Sequence, residues 1–301
     1  MPNDQEYRNK LGFHVRSAEE LVRVTNVPTV DLVELKPDHL KRKSNIELYS
    51  FDGQKFSINH ENASNIMLLL KKKGIEAQIH IPFEDFQDPT AETGLCQADR
   101  SHHPLLLSRM EMFGELHEKY DLGTVLTMHP PAFKLVDIVE WSEKEALDAG
   151  IELYKQIDEL IIRKGYGFKF DIENMVAPKR IGVSNLGYRP KQIDLLIGDT
   201  SHVGITVDTG HRRLNHAMSI AALFSYGEVN NLHFHSNEGY ISSTDYKDDQ
   251  HIFATPENLP HFDRFIKRFR RSALPIILEV KTDKYTDREL ATYVNTLRSL
   301  I

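Results

Sequence analysis

The sequence predicts an α/β fold of the (β/α)8 barrel class, with all residues from 1 to 301 in a single domain. Strand-like and helix-like stretches alternate eight times, and no segment between them resembles a linker. The 301 residues fit one barrel, which typically takes about 250. With 40% hydrophobic residues, the chain has enough apolar material for a large core.

The eight pairs are defined by short apolar runs that are each followed by a stretch of helical periodicity. The predicted strands cover 11–15, 29–35, 75–81, 123–128, 168–172, 202–207, 231–235 and 275–278. The predicted helices begin at Ser17, with Glu20 completing a capping box, and then cover 62–73, 105–120, 143–164, 190–197, 215–226, 261–271 and 288–300. Long loops are expected at 36–60, with a turn or small hairpin at Asp52-Gly53, and at 82–100 and 236–260; such loops are usually functional or disordered.

Charge and composition limit the classes of function. The net charge of −7 excludes a polycation that coats nucleic acid along its whole length. A single cysteine, Cys96, excludes an internal disulfide framework. The N-terminal residues lack the pattern of a signal peptide, and no apolar run approaches the roughly 18 residues of a membrane span. We therefore expect a cytoplasmic protein without a membrane segment.

The most informative stretch is Ile205-Thr-Val-Asp-Thr-Gly-His211, where a buried strand ends in an aspartate and a histidine three residues apart. One interpretation is that Asp208 caps the following helix and His211 is solvated. The other is that both side chains bind a divalent metal ion.

Acids and histidines also follow the other strands, and a barrel brings the carboxyl ends of its strands to one mouth. The candidate metal ligands are His80, His129, Glu173, Asp208, His211, His235, Asp249, His251 and Glu279. Four carboxylates in one buried mouth would repel each other unless cations compensate them. The mixture of imidazole and carboxylate suits Zn²⁺ or Mn²⁺, and nine ligands suit two or three ions.

Individual ligands have other interpretations. His80 and His129 could simply bond to loop backbone. His233 and His235 share one strand face, and we select His235 as the ligand because a loop follows it; His14 could orient other ligands. Glu173 and Glu279 each end an apolar strand and are hard to explain as solvated charges.

Several motifs, in order along the chain, resemble the endonuclease IV family (AP endonuclease family 2) of the xylose-isomerase-like TIM barrels. They are Leu11-Gly-Phe-His-Val, Met128-His-Pro-Pro, Ile172-Glu-Asn, Ser184-Asn-Leu-Gly, Val207-Asp-Thr-Gly-His, Phe234-His-Ser-Asn-Glu, Asp249-Gln-His and Pro275-Ile-Ile-Leu-Glu. The resemblance implies a three-metal cluster on the nine positions above and hydrolysis of phosphodiesters at abasic sites during DNA repair. It also implies catalytic roles for Glu173, Glu279 and His211, and phosphate contacts from Arg212, Arg213 and Lys281.

The chain departs from this family in two loops. The family's glycine-rich loop is replaced by Ile252-Phe-Ala-Thr-Pro-Glu, and its DNA-penetrating loop by the acidic Phe83-Glu-Asp-Phe-Gln-Asp-Pro. Acidic residues weaken a grip on phosphates, which puts DNA in doubt as the partner.

The alternative is a sugar or sugar-phosphate isomerase or epimerase. Enzymes of this kind in the same superfamily resemble the chain at Glu173, Asp208, His235 and Glu279, which would hold one metal while the two glutamates move protons beside a carbonyl. A third possibility is a barrel that binds a ligand without catalysis.

Overall fold

The described part of this computed structural model comprises residues 9–37, 46–82, 93–134, 142–176, 183–214, 224, 227–238 and 249–301. Its strands are β1 (Leu11–Val15), β2 (Leu32–Leu35), β3 (Tyr49–Phe51), β4 (Phe56–Ile58), β5 (Glu76–His80), β6 (Leu122–Met128), β7 (Ala132–Lys134), β8 (Lys169–Glu173), β9 (Val183–Asn185), β10 (Val203–Asp208), β11 (Val229–His233) and β12 (Ile276–Leu278). Its α-helices are α1 (Ala18–Val24), α2 (His60–Lys73), α3 (Thr93–Ala98), α4 (His103–Tyr120), α5 (Glu143–Lys164), α6 (Pro190–Ile197), α7 (Thr209–Leu214), α8 (Phe262–Ser272) and α9 (Asp287–Leu300).

Eight parallel strands close into a barrel in the order β1-β12-β11-β10-β8-β6-β5-β2, which confirms the predicted (β/α)8 fold. Successive residues of a strand point alternately outward to the helices and inward to the barrel axis. On β8, Phe170 and Ile172 belong to the apolar core, so Asp171 and Glu173 point inward. The same alternation directs the polar residues of the other strands into the barrel interior.

Two small sheets lie outside the barrel. β3 and β4 form the hairpin expected around Asp52-Gly53. β7 and β9 form an antiparallel ribbon that the sequence did not predict, because a three-residue strand is too short to display a period of two. The ribbon joins the loops after β6 and β8, next to the carboxyl ends of the barrel strands.

The helix predicted at 215–226 falls almost entirely outside the described residues, as do 83–92 and 239–248 in two of the predicted long loops. The described helix after β10 is α7, which begins at Thr209, directly after the strand. Among the described helices, none combines the length and the apolarity needed to cross a membrane. The assignment of all 301 residues to one domain stays a prediction.

The longest helix, α5, has the predicted bounds because its first turn is closed by a capping box. The Ser142 hydroxyl accepts a hydrogen bond from the Glu145 backbone N–H at 3.2 Å, and the Glu145 carboxylate accepts one from the Ser142 backbone N–H at 2.8 Å. We expect Ser142→Ala to lower the free energy of unfolding by about 1 kcal/mol, because one helix N–H loses its partner. Urea denaturation would measure this change, and an unchanged midpoint would contradict it.

Candidate metal centre

All nine predicted ligands lie at the carboxyl ends of the barrel strands. His80, Glu173 and Asp208 end their strands, and the other six follow a strand end in the chain. Glu173, Asp208 and His235 are fully buried. The prediction that these side chains converge on one mouth therefore agrees with the structure, as the distances between them show.

Glu173 lies at the centre of the inner group. Its Oε2 atom is 3.2 Å from His80 Nε2 and 3.4 Å from His129 Nε2, and its Oε1 atom is 2.9 Å from His211 Nδ1. With His233 Nδ1 at 3.5 Å from Oε1, one carboxylate thus faces four imidazoles from four different strand ends.

Asp208 combines both roles considered for it. Its Oδ1 atom accepts a hydrogen bond from the His211 backbone N–H at 2.6 Å, so it caps the start of α7. Its Oδ2 atom faces His235 Nε2 at 2.9 Å and His233 Nδ1 at 3.7 Å. The capping interpretation is correct for one oxygen, while the other oxygen remains directed at the candidate ligands.

Glu279 and Asp249 complete the group. Glu279 Oε2 is 3.1 Å from His233 Nδ1 and 3.8 Å from His235 Nε2. Asp249 Oδ2 lies between His211 Nε2 at 3.0 Å and His251 Nε2 at 3.1 Å. The mouth therefore holds a central set around Glu173, Asp208 and Glu279, with Asp249 and its two imidazoles beside it.

Three histidines share a feature that favours metal binding. In each, Nδ1 lies at hydrogen-bond distance from a backbone carbonyl: His80 from Ile81 at 3.1 Å, His211 from Asn174 at 2.9 Å and His251 from Glu279 at 2.9 Å. A carbonyl can only accept, so Nδ1 carries the hydrogen and Nε2 of a neutral ring presents its lone pair to a carboxylate oxygen. Two acceptors that face each other need a proton or a metal ion between them, and a fixed tautomer is typical of metal-bound histidine.

The carboxylates and imidazoles of the central set also compensate each other's charges, as their pKa shifts show. Burial raises the pKa of Glu173, but His211 and His233 outweigh burial and hold the pKa well below its usual range. Burial also raises the pKa of Glu279, but His251 and His233 outweigh burial and hold this pKa well below its usual range. Burial lowers the pKa of His233, but Glu34 and Glu173 outweigh it and raise the pKa well above the usual value. Imidazolium ions thus supply the positive charge that a metal ion would otherwise provide.

The donor atoms fit a divalent ion. In each of three groups the candidate ligand atoms lie within 4.8 Å of one another: His80, Glu173 and His233; His235, His251 and Glu279; and Glu173, Asp208, His233 and Glu279. Glu173 Oε1, Glu279 Oε2 and His233 Nδ1 are buried and make no hydrogen bond of good geometry, although Glu173 Oε1 is 2.9 Å from His211 Nδ1 and Glu279 Oε2 is 3.1 Å from His233 Nδ1. Such nitrogen and oxygen donors suit Zn²⁺ or Mn²⁺.

Metal binding must displace protons, so it depends on pH. Burial lowers the pKa of His235, but Asp208 and Asp249 outweigh burial and raise the pKa to about 9. Below that pH a proton competes with the metal for the ring, so we expect the apparent affinity for Zn²⁺ or Mn²⁺ to rise as the pH increases from 6 to 9. Calorimetric titrations in buffers of different ionisation enthalpy would measure the released protons, and binding without proton release would contradict this expectation.

Of the two histidines at the end of β11, only His235 is a predicted ligand, but the rings of both His233 and His235 reach the central set. Residues two apart on a strand share a face, so His233, at the end of β11, and His235 both point into the mouth. His233 Nδ1 is 3.5 Å from Glu173 Oε1, close to the carboxylate that His235 does not approach. The sequence spacing cannot show which of the two rings reaches the carboxylates, because that depends on how far each ring lies along the barrel axis.

The predicted phosphate-binding residues have other contacts. The Arg212 guanidinium lies over the Phe265 ring, with 6.0 Å between its Cζ atom and the ring centroid, and Arg213 Nε donates to the Asn258 carbonyl at 3.1 Å. The Lys281 backbone N–H donates to the His251 carbonyl at 3.1 Å, which connects the end of β12 to the loop that carries a candidate ligand. Phosphate binding by these three residues stays a prediction.

Two buried polar residues that support the site were missed. Asn174 donates to the Asp208 carbonyl at 3.0 Å and accepts from the Asp208 backbone N–H at 2.7 Å. Glu34 lies in β2 and is fully buried, and it contacts His14 and His233. Burial raises the pKa of Glu34, but His233 and His14 outweigh burial and lower it to about 2. The signal for Glu34 was a charged residue within the apolar strand Leu-Val-Glu-Leu.

No family model and no curated protein matches the sequence. Solved structures match the fold over nearly the whole chain. A D-tagatose 3-epimerase-like protein has a TM-score of 0.64 and 20% identity, with 96% of this chain and 98% of that chain covered. D-psicose 3-epimerase from Clostridium cellulolyticum H10, solved with D-tagatose, has a TM-score of 0.63 and 11% identity, with 97% and 99% covered. A xylose isomerase domain protein from Planctomyces limnophilus has a TM-score of 0.57 and 10% identity, with 98% and 96% covered.

These likenesses support the TIM-barrel fold. Membership of the xylose-isomerase-like superfamily stays a prediction, and these comparisons give no support to the narrower endonuclease IV assignment.

Proposed function

We propose that the protein is a divalent-metal-dependent isomerase or epimerase of a small sugar. The observation that carries the proposal is the pair of buried glutamates, Glu173 and Glu279, which face the same His233 ring at 3.5 and 3.1 Å from its Nδ1 atom. Two carboxylates at the mouth of one barrel can remove a proton from one face of a carbon and return one to the other face. The similar structures named as ketohexose 3-epimerases support this class of substrate.

Glu173, Asp208, Glu279 and one or both of the histidines His233 and His235 would hold the ion. When bound, the ion would polarise the substrate carbonyl and so make the neighbouring C–H bond more acidic. The bound ion would also replace the imidazolium protons that balance the carboxylates in its absence.

The side chains would carry out the proton transfer. One glutamate takes the proton of the carbon next to the carbonyl, and the electron pair of that C–H bond moves into the carbonyl system. The other glutamate must carry a proton when the substrate binds; it gives this proton to the opposite face as the electron pair forms the new C–H bond. The carbon is thereby inverted, the overall composition is unchanged, and exchange with solvent restores the starting protonation of the two carboxyl groups. His211 lies between Glu173 and Asp249, with its ring nitrogens 2.9 and 3.0 Å from their oxygens, and would hold these two carboxylates in place.

Product analysis tests the proposal. Protein loaded with Mn²⁺ is incubated with D-tagatose, D-psicose or D-fructose, and the sugars are separated by chromatography. We expect at least one of these ketohexoses to be converted into an epimer or isomer by the loaded protein and not by the chelated protein. A variant at the exposed Glu61, Glu61→Gln, is a control that should retain full activity. Unchanged sugars under all metal conditions would contradict the proposal for ketohexoses.

Phosphodiester hydrolysis is a second candidate, which one observation favours. His129, His211, Asp249 and His251 surround the central set at distances suited to further ions, and a one-metal isomerase does not need them. A cluster of ions spaced by roughly 4 Å can activate water and stabilise the leaving oxygen of a phosphodiester. Cleavage of abasic duplex DNA by metal-loaded protein that leaves sugars unchanged would favour this function.

A further inference from the structure

We propose that Glu34 is a positioning residue of the metal centre, which acts through His233. Glu34 lies in β2, on the opposite side of His233 from the site carboxylates, and it is fully buried. The inference rests on the proposed metal-dependent function and adds a residue to it.

Among the described residues, the hydrogen-bonding neighbours of the Glu34 carboxylate are all groups that can donate a hydrogen. Its Oε1 atom is 3.0 Å from His233 Nε2 and accepts from the Asn231 side-chain amide at 3.4 Å. Its Oε2 atom is 2.9 Å from His14 Nδ1, and β1 and β2 hold His14 and Glu34 side by side in register. A buried carboxylate with three N–H partners is firmly held, because each partner is attached to a different part of the barrel wall or to a different strand position.

The contact with Glu34 determines which nitrogen of a neutral His233 ring carries the hydrogen. A carboxylate accepts but does not donate, so the hydrogen of a neutral His233 ring resides on Nε2, toward Glu34. The lone pair of Nδ1 then faces Glu279 Oε2 at 3.1 Å, Glu173 Oε1 at 3.5 Å and Asp208 Oδ2 at 3.7 Å. Glu34 therefore fixes both the tautomer and the orientation that His233 needs to bind an ion among these carboxylates.

Backbone carbonyls fix the tautomers of His80, His211 and His251, whereas a side chain, Glu34, fixes the tautomer of His233. A backbone carbonyl cannot be removed by substitution, but Glu34 can. Loss of the outer partner of a metal-bound histidine typically weakens metal affinity roughly 10- to 100-fold.

The test compares Glu34→Gln with Asp171→Asn. Asp171 is also a fully buried carboxylate of the barrel interior, but its hydrogen-bond partners are Thr206 and Asn230. Both variants replace a buried acid with its amide. Burial raises the pKa of Asp171 to about 7, so the measurement is made at pH 8, where Asp171 is mostly ionised and both substitutions remove a negative charge. The pair then separates loss of buried charge from loss of the His233 contact. The measured quantity is the Mn²⁺ dissociation constant by calorimetry, together with the unfolding temperature of the metal-free proteins.

We expect Glu34→Gln to raise the Mn²⁺ dissociation constant roughly 10- to 100-fold and Asp171→Asn to leave it unchanged. Equal affinity of Glu34→Gln and the wild type would overturn the role of Glu34 while leaving the proposed function intact. Absence of Mn²⁺ binding by the wild type would overturn the proposed function itself. An equal loss in both variants would also overturn the role of Glu34, because it would point to buried charge in general.

A measurement on the wild type keeps the inference testable if Glu34→Gln does not fold. Nitrogen-15 NMR of the Zn²⁺-loaded protein, with the His233 ring assigned by through-bond correlation from its Cα atom, reports which ring nitrogen carries the hydrogen. We expect Nε2 to carry the hydrogen and Nδ1 to carry none and to show the chemical shift of a metal-bound nitrogen. A hydrogen on Nδ1 in place of Nε2 would overturn the inference.

Discussion

Replacing Glu279 with glutamine is expected to reduce kcat for sugar isomerisation by roughly 10²- to 10⁴-fold, the usual contribution of a general acid or base. Glutamine keeps the size of the side chain but cannot take or return a proton at neutral pH. It also removes the negative charge that faces His233 Nδ1 at 3.1 Å, so metal affinity should fall as well. Glu173→Gln should behave in the same way, because Glu173 is the other carboxylate beside that ring.

A suitable control is Glu76→Gln. Glu76 begins β5, at the opposite end of the barrel, and forms an exposed ion pair with Lys10. The Glu76→Gln variant should leave kcat unchanged, because an exposed ion pair contributes little to stability and this one lies far from the mouth. Steady-state kinetics at saturating Mn²⁺ would separate a loss of turnover from weaker metal binding. Full activity of both glutamate variants at the mouth would exclude proton transfer by this pair.

Removal of the metal is expected to lower the unfolding temperature by roughly 5 °C or more, because an ion at about 100 times its dissociation constant stabilises the native state by about 2.7 kcal/mol. The ion binds carboxylates that come together only in the folded barrel. Differential scanning fluorimetry before and after chelation and dialysis, followed by addition of Zn²⁺ or Mn²⁺, would measure the shift.

The matched variant for this measurement is Asp208→Asn. It removes one of the central carboxylates, which faces His235 Nε2 at 2.9 Å, so the variant should show a much smaller shift on addition of metal. An unfolding temperature that is independent of metal in the wild type would contradict a metal centre at this mouth.

The barrel could be predicted because its signals are local. Each parallel strand is a short apolar run, and α5 begins with a capping box, so its bounds can be read from Ser142 and Glu145. The positions of Glu173 and Glu279 could be predicted because an acid that ends an apolar strand is directed to the mouth of the barrel. The β7–β9 ribbon could not, because it pairs two segments that are distant in sequence and only three residues long.

The parts of the site that escaped prediction depend on depth and orientation along the barrel axis. How closely His233 and His235 each approach the carboxylates depends on distances between side chains on neighbouring strands. The spacing of residues in the sequence carries no information about those distances. Glu34 escaped notice because its importance lies in two partners on other strands, His14 and His233.

The function was harder to predict than the site for a chemical reason. The motifs that resemble endonuclease IV consist mainly of metal ligands, and the same ligands can serve a hydrolase or an isomerase. The resemblance therefore predicted the side chains at the mouth without fixing the reaction.

Incorporation of solvent deuterium into a sugar is the most direct test of the proposed proton transfer. Mn²⁺-loaded protein is incubated with D-tagatose or D-psicose in D₂O, and proton NMR follows the hydrogens on the carbons beside the carbonyl. We expect one carbon-bound hydrogen to be replaced by deuterium, and we expect chelation or Glu279→Gln to abolish the exchange. Conversion of the sugar without deuterium incorporation would contradict proton transfer by Glu173 and Glu279, and so would the same rate of exchange in Glu279→Gln.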